Sequence, residues 1–265
     1  MPSFFSFVVP TAYQFYETIA FLRGFINMMK YIFLRKFAPV LSIIILFFTG
    51  CQDENGSGDD TINPDRSVVY NYFKQITLGS EFGNSSQNIR KWDSEMRVFL
   101  KGDDIPQMET ELEQIITELN ELIEPINIVK VDNELDANYI VFLGSGDQYA
   151  TEIEPNAGPY VDENLGFFWV YWDASYQINR GSMYVDVFEV VDQDAQQHLL
   201  REEFTQSLGM MNDSAENPES IFYQNWTTTT EYAAIDREVI ELLYNTPVET
   251  GMDATTVDQV LANLD

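Results

Sequence analysis

A chain of 265 residues, 45% hydrophobic and 14% aromatic, has ample material for a core, which excludes disorder throughout. A formal charge of −29 argues against nucleic acid as a partner, because phosphates would be repelled, and against adhesion to anionic lipid by charge. A single Cys excludes an internal disulfide.

The first elements in chain order are a basic region at Lys30, Arg35 and Lys36, an apolar run from Phe37 to Phe48, and Gly50-Cys51. The run is short and ends in small residues, as in a secretory signal rather than a membrane span. It resembles the lipobox of bacterial lipoproteins. That resemblance implies a signal peptide over residues 1–50, lipidation of Cys51, and a lipid-anchored protein of the bacterial cell envelope. Gln52 after the Cys points to the outer membrane. The competing reading is an anchor helix with Cys51 incidental. Met28 or Met29 is the more natural start, so residues 1–27 read as a gene-start error. Residues 51–65 are rich in Gly, Ser, Asp and Asn without apolar period, and read as a flexible linker.

Beyond the linker, Val68, Val69, Tyr72, Phe73 and Ile76 predict a helix. Met96–Leu100 predicts a strand, and Met108, Leu112, Ile115, Ile116, Leu119 and Leu122 a long helix between Pro106 and Pro125. Ile126–Val131 and Tyr139–Leu143 predict strands, the second apolar enough to be central. Gln148 to Asn164, with Pro155, Gly158 and Pro159, reads as an irregular loop. Phe167–Trp172 and Met183–Phe188 predict two more strands, connected through Asn179–Ser182. Ala234 to Leu243 predicts a helix that closes near Pro247.

The stretch His198 to Asp213 stands apart. Leu199, Leu200, Phe204 and Leu208 form one helical stripe, and Gly209 follows where a helix end often needs a left-handed residue. His198, Glu202 and Gln206 are spaced by four and share a face, whereas Glu203 lies about 100° round from Glu202. The plain reading is an amphipathic helix ended by glycine. Glu203, Thr205, Gln206, Asn212 and Asp213 would then fix loops by hydrogen bonding, and His198 would be an exposed residue near a helix start.

The stretch also resembles the HExxHxxGxxH helix of metzincin zinc peptidases. In that register Glu202 and Gln206 stand at the first two His positions, Glu203 at the general base, Gly209 at the turn, Asn212 at the third ligand and Asp213 at the following Asp. Ser220-Ile221-Phe222-Tyr223 resembles the Met-turn with Phe222 in place of Met, and Ile235–Tyr244 resembles the closing helix. With Glu81-Phe82-Gly83, Lys91-Trp92 and Gly251-Met252, these motifs are similar to those of an uncharacterised bacterial domain family related to zincins but lacking HExxH. The resemblance covers most of residues 66–252. It implies an α+β fold: a zincin-like mixed sheet packed on helices, with a central degenerate active-site helix. Residues 253–265 are expected to form a C-terminal tail helix.

With one His in the chain, a His-based zinc site is not expected, and neither a metal nor a cofactor is assigned. The resemblance implies a degenerate peptidase domain that binds an extended peptide or an envelope protein without cleaving it. Gln206, Asn212, Asp213, Trp169 and Tyr171 would line its cleft. The aromatic strand Phe167–Trp172 is either that cleft wall or a core strand with one wet face. The alternative function is an atypical hydrolase with Glu203 as general base, helped by Glu202 and His198.

Overall fold

Runs of alternating period and runs of helical period follow one another along the chain, and they build a mixed sheet with helices packed on it. The computed structural model describes residues 66–82 and 86–264. The signal segment, Cys51, the linker and Gly83 lie outside the described residues. In order, the elements are α1 (Arg66–Thr77), β1 (Lys91–Trp92), β2 (Met96–Gly102), α2 (Pro106–Leu122), β3 (Ile128–Lys130), β4 (Tyr139–Gly144) and α3 (Gly146–Glu152). After these come β5 (Gly166–Trp172), β6 (Gln177–Asp186), α4 (Gln193–Gln206), α5 (Ala234–Tyr244) and α6 (Ala254–Leu261).

The sheet order is β1-β6-β4-β2-β3, with every neighbouring pair parallel. β5 runs antiparallel to β6 and, among the described strands, pairs with no other. β4 lies between β2 and β6, which is why its sequence is apolar almost without interruption. Alternate side chains separate two cores. Val141, Leu143, Met183 and Val185 face the main core with α1, α2, α4 and α5. Phe142, Phe167 and Tyr184 face the other way and pack with Tyr149 and Ala157.

Two connections differ from the sequence expectation. The segment read as an irregular loop contains α3, whose N-cap Ser145 forms a capping box with Gln148. β6 begins at Gln177 rather than near Met183, so Asn179–Ser182 are strand. The reversal sits earlier, at Asp173–Tyr176. Asp173 Oδ1 accepts from the Ser175 and Gln177 amides at 2.8 and 3.1 Å, and Tyr176 takes a left-handed φ of 64°. An Asp-based turn carries no glycine to mark it. The tail helix is present as α6, and Val257 and Leu261 bury it in the main core.

α4 is the element that the other layers hold. Asp192 caps its start by accepting from the Ala195 amide at 2.9 Å. At its middle, Arg201 is buried to 1% exposure. Its guanidinium donates to Glu111 Oε1 at 2.7 and 3.1 Å and to Glu118 Oε2 at 2.8 Å, both on α2. The Tyr232 ring lies 4.7 Å from the Arg201 guanidinium carbon. Removing one partner of a buried pair strands the other charge. Arg201→Leu is therefore expected to lower unfolding free energy by ~3–5 kcal/mol, and adding Glu111→Leu to recover part of it; urea denaturation of the parent and both variants measures this.

Candidate functional site

Past Gln206, the chain turns back under α4. Gly209 has φ 123°, and a Cβ there would lie 2.0 Å from the Arg90 carbonyl oxygen, so both the conformation and the contact require glycine. Trp92 Nε1 donates to the Ser207 carbonyl at 3.1 Å, and the Tyr244 hydroxyl to the Leu208 carbonyl at 2.7 Å. These bonds occupy carbonyls that the helix end leaves free. The returning chain brings Asp213 to Gln206, whose Nε2 donates to Asp213 Oδ1 at 2.5 Å.

A second turn supports the first. Buried Asp236 accepts from Ser220 Oγ at 2.5 Å and from the Ile221 amide at 3.0 Å, and the Tyr72 hydroxyl donates to Ser220 Oγ at 2.8 Å. This holds fully buried Phe222 in place, and its carbonyl accepts from the Ser214 amide at 2.9 Å.

The residues singled out in the sequence do not all meet. His198 is buried, not exposed at a helix start, because the loop after Asp213 folds over it. Its Nδ1 lies 2.7 Å from the Thr229 carbonyl oxygen and its Nε2 3.3 Å from Glu202 Oε2. Burial opposes its protonation, but Glu202, the Thr229 carbonyl and Asp213 outweigh that and raise its pKa. Asn212 departs from the others. Its Nδ2 donates to the Leu78 and Ile76 carbonyls at 3.0 and 3.3 Å, so it caps the end of α1 instead of facing Gln206. Trp169 and Tyr171 are half-buried on β5. Tyr171 donates to Glu154 at 2.8 Å, and Trp169 packs beside Tyr160 and Phe167. Cys51 lies outside the described residues.

Carboxyl groups gather where α4 passes the start of β5. Glu203 keeps some exposed surface, but its carboxyl is enclosed by protein, and the enclosure governs its charge. Burial first, and then Glu202, Asp213 and Glu81, raise its pKa well above the carboxylate range. Asp213 is pushed up to about 7 by burial and by Glu202 and Glu81, against the opposing Gln206 hydrogen bond and His198 charge. Glu81 is exposed at the surface, and partial desolvation of its carboxyl and then the charge of Glu202 raise its pKa. It joins from a distant segment, held there by its amide bond to the Met211 carbonyl at 3.1 Å. The sequence marks Glu81 only as one letter of a family motif, with nothing to tie it to α4. Gly166 opens β5 beside this group: a Cβ there would come 3.1 Å from Glu203 Oε1.

The donors do not fit zinc. A catalytic ion needs three ligands converging on an open position. Here Gln206 is engaged with Asp213, Glu202 with His198, and Asn212 with α1. Among the described residues, no three His, Cys, Asp or Glu side chains are disposed to hold a metal.

Comparison with known proteins gives one match by family. Residues 67–263 match a family described as a protein of unknown function (DUF2927). No curated protein matches the chain by sequence. Similar solved structures include myroilysin, at 14% identity and TM-score 0.40, covering 65% of this chain and 92% of that one. Metalloproteinase-II from Bacteroides fragilis follows at 13% and 0.36, covering 67% of this chain and 60% of that one. Archaemetzincin from Methanopyrus kandleri follows at 11% and 0.28, covering 64% and 96%.

The Asp213 carboxyl is easier to bury protonated. Between its ordinary 3.8 and about 7, the folded chain thus holds a proton that the unfolded chain has lost. This contribution to stability is fully present below the lower value and is lost as pH rises through the upper one. The stability advantage of Asp213→Asn over the parent is expected to grow from pH 5 to pH 8, reaching on the order of 2 kcal/mol. Calorimetric melting across that range reads it; an advantage constant with pH would contradict it.

Proposed function

The chain belongs to the family of unknown function DUF2927, and we propose that it is a degenerate metallopeptidase-like module that binds extended peptides without zinc-dependent cleavage. One observation carries this reading. The side chains standing at the three metal-ligand positions of the metzincin motif are engaged with groups of the protein itself. What remains available is the outer edge of β5, whose backbone groups no other described strand pairs. An unpaired edge is a template for strand addition, in which main-chain bonds give affinity and side-chain pockets give selectivity. The Gly50-Cys51 junction supports a lipid-anchored envelope location for the module.

A second reading, an atypical hydrolase, draws on Glu203. An enclosed carboxyl with a raised pKa has the property a general base needs near neutral pH.

Labelled extended peptides of mixed sequence test the two together. Binding is expected in the micromolar range, and methylating alternate backbone amides of the peptide is expected to weaken it about tenfold, because strand addition needs those N–H groups. Binding that ignores methylation would contradict an edge-strand mode. Cleavage of the same peptides that disappears in Glu203→Gln would favour the hydrolase.

A further inference from the structure

We infer that the free edge of β5 selects a cationic extended peptide, with a basic side chain lying at the Gly166 end of the strand. This rests on the peptide-binding reading above and adds the chemistry of the occupant.

The two ends of β5 differ in charge. At the Trp172 end, arginines already cover the aromatic side chains. The Arg180 guanidinium carbon sits 3.9 Å from the Tyr171 ring centre, and that of Arg90 sits 4.5 Å from Trp172. At the Gly166 end, Glu203 lies directly against the strand, where a Cβ would come 3.1 Å from its Cγ and Oε1. Glu202, Asp213 and Glu81 stand close enough to repel it and one another. Buried His198 is the positive group that acts on Asp213, and it is itself held by Glu202.

A strand added to β5 would place alternate side chains toward α4 and toward the aromatic face of Tyr160 and Trp169. Those on the α4 side would meet carboxyl groups whose charge an ammonium or guanidinium would stabilise. An acidic side chain there would add to the repulsion. The overall charge of −29 acts in the same sense at longer range, drawing basic peptides toward the surface and repelling acidic ones.

The test uses the full chain and three labelled probes of equal length: alternating Lys-Thr, Ser-Thr and Glu-Thr. Fluorescence anisotropy at physiological salt is expected to show Lys-Thr binding about tenfold tighter than Ser-Thr, with Glu-Thr weakest. General attraction by net charge is separated from the site by two double variants that each replace two carboxyl groups with amides. Glu202→Gln with Asp213→Asn is expected to weaken Lys-Thr binding about fivefold and leave Ser-Thr unchanged. Glu121→Gln with Glu124→Gln, at the exposed end of α2, is expected to leave both within about twofold. Equal affinity for Lys-Thr and Ser-Thr, or equal losses in the two double variants, would overturn the cation preference and leave peptide binding standing. Failure of all three probes to bind would overturn both.

Discussion

The arrangement depends on the buried ion pair that fixes α4. Arg201 is removed from water, with two carboxylates of α2 and the Tyr232 ring around it. Such a group is tolerated only in one geometry, because any displacement leaves a charge in the interior without its partner. Its burial sets the rotation of the helix. With Arg201 toward α2, Glu202 turns toward the returning loop and Glu203 toward the start of β5. The Trp92 and Tyr244 bonds then secure the far end of the helix, and Thr205 Oγ1, 2.7 Å from the Tyr232 hydroxyl, ties the same loop to its side.

This rotation explains why the polar stripe of α4 behaves as it does. Buried polar groups need partners, and in this fold the nearest partners are the protein's own. Gln206 finds Asp213, His198 finds Glu202 and Thr229, and Asn212 finds the end of α1. The pairs hold the loop after Gly209 against the helix and, among the described residues, leave no converging set of donors. Glu203 is the exception, enclosed yet set among like charges, and it lies beside β5, whose outer edge no described strand covers.

Much of the fold was legible in the letters. The helical periods of α1, α2, α4 and α5 and the apolar run of β4 mark their elements, because burial of one face imposes a period that sequence preserves. Gly209 was legible as a turn because few other residues take its backbone conformation. The misses share a cause. α3 is short, and its Gly and flanking Pro residues conceal a capping box. The turn before β6 uses Asp173 and Tyr176 where a glycine would have announced it. The burial of His198, the departure of Asn212 and the arrival of Glu81 each depend on a segment distant in the chain, and no local pattern records such a contact. The partners of Arg201 were hidden for the same reason: Glu111 and Glu118 look like solvated charges on α2 until α4 packs against them.

Glu202, Gln206 and Asn212 are thus committed to His198, Asp213 and the end of α1, with no position left for a bound ion. Calorimetric titration of the full chain with zinc at neutral pH tests it most directly. No saturable one-to-one binding tighter than about 100 μM is expected, with the same weak response in Gln206→Ala. One-to-one binding at about micromolar affinity or tighter, lost in Gln206→Ala, would contradict it.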